Sequence, residues 1–292
     1  MNISVNAYAK INLHLDVTGI RDDGYHNIQS IMHSVSLCDV VDIEVTDDGK
    51  IIIECDVQGV PLDERNIAFK AAKSFFEKAG LNKGAIIKIK KRIPMAAGLA
   101  GGSADGAAVL VGLNKLLSEP ISKESLYALG ASLGADIPFC MTCGCCYTSG
   151  IGEKLLEIES LSEKTLLVIA CGGDGVSTPM AYGLLDKKYN RFIGYEPKNY
   201  ETLVSSISNE GSDFYLHLFN IFEEPITNER PAVNEAKAVM LKNGAKAAMM
   251  SGSGPSVFGV FDDIDGANKA VEALKAQGYF ATIAIPTKKR IL

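Results

Sequence analysis

Polar and apolar residues alternate along residues 7–16, near the start of the chain. On a strand, one face would carry the small and aliphatic residues Ala7, Ala9, Ile11, Leu13 and Leu15. The opposite face would carry Tyr8, Lys10, Asn12, His14 and Asp16. The alternation predicts a half-buried strand whose polar face either meets water or forms the floor of a cleft.

Hydrophobic patterns and turn residues predict further elements up to residue 147. Strands are expected over 31–45, broken near Cys38, and over 50–57, joined as a hairpin by the turn at 47–49. A helix capped by Asn66 should run to Ala79, and a strand over 86–93 should follow it. A second helix over 124–133 should end at Gly134, before a buried strand over 137–147.

The second half of the chain combines short apolar runs with helical patterns. Strands are expected over 166–170 and 281–285, a strand–turn–strand unit over 247–261, and helices over 231–241 and 267–276. Residues 149–164 are polar and charged, so we predict a boundary there, with domains at 1–155 and 156–292. Because strands and helices mix without a regular βαβ period, the predicted class is α+β.

Composition excludes several kinds of partner. The 292 residues are 47% hydrophobic and 22% charged, which is enough chain for two domains. A net charge of −6 argues against sequence-independent nucleic-acid binding. There is no signal-peptide pattern, and no apolar run approaches the roughly 20 residues of a membrane span. We therefore expect a cytoplasmic monomer or weak homodimer with no membrane or nucleic-acid partner.

Seven cysteines are an odd number and fit no secreted disulfide framework. Four lie close together: Cys140, Cys143, Cys145 and Cys146. A metal or iron–sulfur site is one interpretation, but the chain has no separate second Cys-x-x-Cys pair and its histidines lie far off in sequence. Cysteine used as a small buried hydrophobe is the favoured interpretation, so we expect the cysteine cluster to hold no metal and assign no metal ligands.

A glycine-rich stretch over residues 94–105 carries the strongest chemical signal. Gly98, Gly101 and Gly102 precede Ser103 and an alanine-rich helical pattern. Glycine lets the backbone approach a ligand, and a helix start presents unpaired N–H groups, so the stretch suits a phosphate. It has neither the Walker A lysine nor the G-x-G-x-x-G spacing. Glycine content alone leaves open a tight turn before a helix packed through small residues.

Neighbouring features favour the phosphate interpretation. Lys10 supplies an ammonium on the polar strand face, and Asp136 follows a predicted helix where a loop can present a carboxylate to a cleft. Tyr25 and His26 end a glycine-punctuated loop and could stack on a planar heterocycle. A second glycine–serine turn lies at 252–254.

This combination resembles the GHMP kinase superfamily, whose phosphate loop reads Pro-x-x-x-Gly-Leu-x-x-Ser-Ser/Ala. Residues 94–104 match it with one extra small residue, and residues 252–255 match the third family motif. Segments 7–13, 24–26, 92–95, 101–104 and 134–139 are similar to the branch that phosphorylates a cytidine-diphosphate alcohol in non-mevalonate isoprenoid biosynthesis. The resemblance implies a two-domain fold with an ATP/substrate cleft between the domains, ATP and Mg²⁺ as cofactors, and a small-molecule cytidine-diphosphate substrate.

The resemblance also implies residue roles. Lys10 and Asp136 match the catalytic pair, in which Asp136 takes the proton of the substrate hydroxyl and Lys10 orients that hydroxyl or tunes the carboxylate. The implied substrate-binding residues are Asn12, Tyr25, His26 and Tyr182. The implied ATP-binding residues are Asn66, Lys91, Pro94, Met95, Ala96, Ala97, Gly98, Leu99, Ala100, Gly101, Gly102, Ser103 and Ala104.

Three positions depart from the family pattern. Ala97 and Ala100 stand where many members have glycine, and we expect both to be tolerated if they keep negative φ angles. Met32 stands where some members have an aromatic residue, so contacts with the base are left open there. Two alternatives remain: a kinase of the homoserine or mevalonate type, disfavoured by the Gly-Tyr-His loop, and a non-catalytic ligand-binding protein of this fold, disfavoured by Lys10 with Asp136.

Overall fold

Two β-sheets organise the computed structural model, which describes residues 1–173, 175–208 and 213–288. The first sheet has the strand order β3-β4-β2-β1-β8, with β5 beside β2 and β6 beside β5. Its strands are β1 (Asn2–Ile20), β2 (His26–Thr46), β3 (Ile51–Cys55), β4 (Gly84–Lys90), β5 (Cys145–Ser149), β6 (Lys154–Glu157) and β8 (Phe219–Asn220). The second sheet has the order β11-β7-β10-β9. Its strands are β7 (Leu166–Cys171), β9 (Ala247–Met250), β10 (Val257–Phe261) and β11 (Phe280–Ala284).

Helices lie between these strands along the chain. They are α1 (Ile67–Ala79), α2 (Gly101–Leu116), α3 (Lys123–Leu133), α4 (Ile137–Thr142), α5 (Thr178–Lys188), α6 (Glu201–Ser208), α7 (Glu223–Glu229), α8 (Pro231–Lys242) and α9 (Ile264–Ala276). This mixture confirms the α+β prediction. Within the described part of the chain, no helix combines the length and apolar character needed to cross a membrane.

The polar face of β1 is buried, so the alternative in which this face meets water is wrong. Lys10, Asn12, His14 and Asp16 are 4%, 1%, 1% and 0% exposed. The reason is that β1 is an interior strand between β2 and β8, and later segments of the chain pack over its polar side. For example, the Asn12 N–H donates to Ser251 Oγ at 3.3 Å.

Elements set by local signals are confirmed. The Asn66 side chain caps α1 by accepting from the Ala68 N–H at 2.9 Å, and α3 ends at Gly134 as expected. The strands β7, β9, β10 and β11 and the helices α8 and α9 lie within a few residues of their predicted bounds. Each of these elements carries its own hydrophobic period or its own cap.

Predictions that depend on pairing between distant segments are wrong in two cases. The predicted hairpin of β2 with β3 is wrong because β4 lies between them, and β3 runs parallel to β4 through the crossover helix α1. The predicted break near Cys38 is also wrong, because β2 is continuous. It contains a bulge there: Tyr8 pairs with Cys38 but Lys10 pairs with Ser34, so β2 has extra residues between the two pairs.

The buried strand predicted over 137–147 is half helix. Residues Ile137–Thr142 form α4, in which Pro138 lies in the first turn, where a missing N–H costs nothing. Cys143 then has φ 54° and Gly144 has φ 84°, and the chain turns into β5. The burial expected for this segment is nevertheless correct, since Ile137–Thr142 is buried throughout.

Helix α2 packs through small residues. A methyl group on Gly106 would lie 2.6 Å from Ile67 Cγ2, and one on Gly112 would lie 2.6 Å from Ile43 Cδ1. Glycine therefore lets α2 approach α1 and the first sheet closely. This contact fixes the N-terminus of α2 directly after the glycine-rich stretch.

The domain boundary at residue 155 stays a prediction.

Candidate active site

A cavity of about 590 Å³ has walls from both halves of the chain. Most predicted site residues line it: Lys10, Asn12, Asn66, Lys91, Pro94, Met95, Ala96, Ala97, Gly98, Ala100, Gly101, Gly102, Ser103, Asp136 and Tyr182. Met32 also contributes to the wall. Tyr25, His26, Leu99 and Ala104 are outside the lining, and Leu99 and Ala104 are buried in the core behind the loop.

The N-terminus of α2 presents unpaired donors to this cavity. The first helical hydrogen bond runs from the Ala104 N–H to the Ala100 carbonyl at 2.8 Å. Among the described residues, the N–H groups of Gly101, Gly102 and Ser103 have no partner, and Ala100 caps the helix without a side-chain acceptor. These donors and the helix dipole together favour an anion at this wall.

Two alanines of the loop adopt left-handed backbone angles. Ala100 has φ 57° and so does not meet the condition of a negative φ, whereas Ala97 has no positive φ and meets it. Ala96 also has a positive φ, of 50°. An L-residue in this region costs about 1–2 kcal/mol, so the surrounding contacts must hold the loop in shape.

The turn at 251–256 supplies those contacts. The Ser251 hydroxyl donates to the Gly98 carbonyl at 3.1 Å, and the Ser256 N–H donates to the Ala97 carbonyl at 3.2 Å. Gly98 has φ 75°, and a methyl group there would lie 2.2 Å from the Ser251 carbonyl oxygen. Gly98 is therefore required for close packing of the loop against this turn.

Lys10 binds the loop from the other side. Its Nζ donates to the Gly98 carbonyl at 2.9 Å and to Asn12 Oδ1 at 2.6 Å, and its backbone N–H donates to the Leu99 carbonyl at 3.1 Å. Burial lowers the pKa of Lys10, while the charge of Asp136 acts in the opposite direction. The Lys10 ammonium thus lies in the cavity wall within the electrostatic reach of Asp136.

Asp136 precedes α4 and lines the cavity. Its carboxylate does not cap α4 and accepts no hydrogen bond from the described residues. A carboxylate that is free of protein donors and lies beside a buried ammonium can accept a proton from a bound ligand.

Lys91 is held in a buried ion cluster. Its Nζ donates to Asp39 and, at 2.8 Å, to Asp105, while Asp39 also accepts the backbone N–H groups of Arg92 and Ile93. Burial alone would lower the pKa of Lys91, but the two carboxylates raise it above its usual value. Burial raises the pKa of Asp105, against the effect of Lys91. The cluster ties the start of α2 to the first sheet.

The lysine side chains just before the loop are paired with carboxylates, so their positive charge is largely neutralised. Lys88 pairs with Glu54 at 3.1 Å, and Lys90 pairs with Asp42 at 3.0 Å. With Lys91 also paired, the unpaired N–H groups and Lys10 supply the favourable field for an anion.

Tyr25 and His26 lie at the tip of the β1–β2 connection, beside the cavity rather than in its lining. Tyr25 is 61% exposed. The His26 ring stacks on Tyr182 with ring centroids 4.4 Å apart, and Tyr182 in turn contacts Phe222 edge-on at 5.0 Å. Of the aromatic residues implied for the substrate, Tyr182 alone lines the cavity and His26 supports it.

Several residues of this site were not identified from the sequence. Ser251 clamps the loop, Asp39 and Asp105 hold Lys91, and Asp186 contacts His26. The turn at 251–256 was visible as a motif, but its contact with Gly98 spans 153 positions. No local pattern signals the partners of Lys91 or His26.

The clustered cysteines are buried and remain protonated thiols. Cys140, Cys143, Cys145 and Cys146 are buried and free of disulfides. Burial raises the pKa of Cys140 and Cys145 well above the usual value and that of Cys146 to about 12. Within residues 1–173, 175–208 and 213–288, no group of three or more His, Cys, Asp or Glu converges to hold a metal. That the cysteine cluster holds no metal stays a prediction.

Comparison with known proteins identifies the class. The family model for the GHMP kinases N terminal domain matches residues 66–144, and that for the GHMP kinases C terminal domain matches residues 200–279. The chain belongs to the GHMP kinase family.

Its relatives include proteins named 4-diphosphocytidyl-2-C-methyl-D-erythritol kinase. The one from Clostridium acetobutylicum is 40% identical over 276 residues, covering 94% of this chain and 96% of the relative. The one from Caldicellulosiruptor bescii is 41% identical over 275 residues, covering 94% of each.

Solved structures show the same similarity. A crystal structure of 4-(cytidine 5′-diphospho)-2C-methyl-D-erythritol kinase matches with a TM-score of 0.81 and 31% identity over 98% of this chain and 100% of that one. Homoserine kinase from Cytophaga hutchinsonii matches with a TM-score of 0.74 at 21% identity, over 98% of this chain and 94% of that one, which is a likeness of fold alone.

Proposed function

We propose that this chain transfers the γ-phosphoryl group of ATP to the 2-hydroxyl of 4-(cytidine 5′-diphospho)-2-C-methyl-D-erythritol, in non-mevalonate isoprenoid biosynthesis. The observation that carries the proposal is near-full-length identity of 40% to kinases named for this substrate. The cavity supports it with an anion-binding helix start, a buried ammonium and an unpaired carboxylate.

The ATP phosphates bind at the start of α2. The N–H groups of Gly101, Gly102 and Ser103 donate to phosphate oxygens, and the helix dipole adds positive potential. Phosphoryl transfer depends mainly on positioning and charge stabilisation, which a preformed set of donors provides without reorganisation. The clamp of Ser251 on Gly98 keeps these donors in place.

Lys10 and Asp136 act on the attacking hydroxyl. Asp136 accepts the hydroxyl proton as the oxygen attacks the γ-phosphorus, and Lys10 orients that oxygen and offsets the negative charge that develops. Asn12 fixes Lys10, because its Oδ1 accepts from Nζ and its Nδ2 donates to Ser30 Oγ at 2.8 Å.

Mg²⁺ fits this cavity. The Ser103 hydroxyl lines the cavity at the start of α2 and has no hydrogen bond to the described residues, so an oxygen ligand is available beside the phosphate site. Ser103 would hold the ion together with phosphate oxygens, and the ion would supply charge neutralisation.

The cytosine of the substrate and the adenine of ATP are assigned to different ends of the cavity. Tyr182 lines the cavity and packs against His26, with Tyr25 at the rim, so the three together offer an aromatic and polar surface to the cytosine. Asn66 and Lys91 form the wall proposed for the adenine. The Asn66 amide is already bonded to the Pro61 carbonyl and the Ala68 N–H, so it shapes that wall rather than donating freely.

A coupled assay of ADP release tests the proposal. We expect turnover with the cytidine-diphosphate substrate and none above background with homoserine or mevalonate at equal concentration. Turnover with homoserine or mevalonate alone would favour the other kinase types, and no turnover with any of the three would favour a non-catalytic protein. None of the seven described cysteines forms a disulfide, which suits a reducing cytoplasm, and we propose a monomer or weak homodimer.

A further inference from the structure

Asp186 of α5 binds the imidazole of His26 beside the cavity. The two side chains lie 2.7 Å apart, between His26 Nε2 and Asp186 Oδ1, and their side chains are 8% and 26% exposed. The same ring stacks on Tyr182 and contacts Phe192 edge-on, with centroids 5.7 Å apart. One carboxylate and two aromatic rings therefore fix the imidazole in position and in orientation.

This contact determines which nitrogen of neutral His26 can accept a hydrogen bond. An ionised carboxylate only accepts, so Nε2 must carry the hydrogen that faces Asp186. In a neutral imidazole the other nitrogen, Nδ1, is then an acceptor. Nδ1 makes no hydrogen bond with the described residues. It is also not fully buried, so a ligand can reach it.

We propose that Asp186 sets the base selectivity of this cavity by holding His26 as a hydrogen-bond acceptor toward the 4-amino group of cytosine. The proposal rests on the function proposed above. Cytosine offers an N–H donor at position 4, whereas a uracil base offers a carbonyl oxygen there. With uracil, Nδ1 and the carbonyl oxygen would face each other as two acceptors, and the buried contact would stay unmade.

Asp186 is a positioning residue in this account, because it acts through His26 and does not touch the base. An amide in its place can turn its NH₂ toward Nε2, which allows the hydrogen to move to Nδ1. Nδ1 would then donate and would suit the uracil carbonyl. Replacing Asp186 should therefore change which base is preferred, while a purely structural role would weaken both substrates alike.

The experiment compares kcat/KM for the cytidine-diphosphate substrate and for its uridine-diphosphate counterpart. The proteins are the wild type, Asp186→Asn, Asp186→Ala and a control, Asp262→Asn, which loses an exposed pair with Lys246. We expect the wild type to favour cytidine by at least about 100-fold. Both Asp186 variants should lower that ratio roughly tenfold or more, mainly through KM, and the control should leave it unchanged.

Nitrogen-15 NMR of the histidine rings provides a second readout, in which wild-type His26 should be protonated at Nε2. Equal losses for both substrates with an unchanged ratio, or a wild-type His26 protonated at Nδ1, whether alone or together with Nε2, would overturn the selectivity proposal and leave the proposed function intact. A wild type that phosphorylates neither nucleotide substrate would overturn the proposed function and the selectivity proposal with it.

Discussion

Individual side chains in this cavity divide into those that face the cavity and those that fix their neighbours. Lys10 belongs to both groups, since its ammonium lines the cavity and also bonds to Asn12 and to the Gly98 carbonyl. Asp136 belongs to the first group alone, because it lines the cavity without a hydrogen bond to the described residues. A change at Asp136 should therefore affect chemistry with little effect on structure.

Replacing Asp136 by Asn tests its role as the base. The amide cannot accept the hydroxyl proton, so kcat should fall by about 10²–10⁴-fold while KM changes little. Steady-state kinetics would measure both parameters, and a urea unfolding curve would check that the variant is folded. Near-normal turnover would remove Asp136 as the base.

The sequence identified these two residues because a family motif surrounds each of them. It could not identify Asp39, Asp105 or Asp186, whose importance arises from partners 14 to 160 positions away in the chain. An exposed and a buried aspartate look identical in sequence until their partners are known. The same holds for Ala100, whose left-handed φ of 57° depends on the surrounding clamp.

At the scale of elements, the glycine-rich stretch over residues 94–105 is held from both sides. Lys10 of β1 contacts it on one side and the turn before β10 contacts it on the other. Local signals such as the Asn66 cap of α1 were enough to predict single helices, because a cap and an amphipathic period lie within one segment. The β2–β3 hairpin could not be excluded in the same way, because the insertion of β4 is a long-range event.

Gly98→Ala should disrupt this clamp. The added methyl would lie 2.2 Å from the Ser251 carbonyl oxygen, at a φ of 75° that alone costs an L-residue about 1–2 kcal/mol. We expect a loss of at least about 2 kcal/mol in the free energy of unfolding and a raised KM for ATP. Gly183→Ala in α5 is the control, since its methyl meets nothing within 4 Å and should stabilise by roughly 0.5–1 kcal/mol. Equal effects of the two changes would contradict the clamp.

Lys91→Met should destabilise the join between α2 and the first sheet. Removing the ammonium leaves Asp39 and Asp105 buried without their cation, which should cost about 3–5 kcal/mol in urea unfolding. Lys90→Met removes the neighbouring, largely exposed pair with Asp42 and should cost less than about 1 kcal/mol. A similar small cost for both would show that the buried cluster does not hold α2.

At the scale of the whole molecule, two neutral histidines are buried where segments distant in sequence meet. His33 Nε2 accepts the Leu161 N–H at 3.0 Å and its Nδ1 donates to the Ser34 carbonyl at 2.8 Å, while His14 packs among Tyr200 and Phe219 with neither nitrogen bonded in the described part of the chain. Burial lowers the pKa of each to about 4.

These histidines should make stability fall in acid. Between pH 6.5 and 4 the unfolded chain binds more protons at each site than the native state, so each lowers stability as pH falls, by up to about 3 kcal/mol. Asp16 and Asp105, whose pKa values are raised mainly by burial, act in the opposite direction, so a difference measurement is needed.

His14→Leu isolates one contribution. Urea unfolding of the wild type and this variant at pH 7.5 and 4.5 should show the variant gaining stability relative to the wild type as pH falls. A stability difference that is the same at both pH values would contradict the buried, neutral state of His14.

The central claim is phosphoryl transfer to one hydroxyl of a cytidine-diphosphate alcohol. Phosphorus NMR of a reaction containing the protein, ATP, Mg²⁺ and 4-(cytidine 5′-diphospho)-2-C-methyl-D-erythritol measures it directly. The account predicts a single new phosphomonoester signal that grows in equal amount with ADP while the diphosphate link to cytidine stays intact. ADP without that signal, or cleavage of the diphosphate, would contradict it.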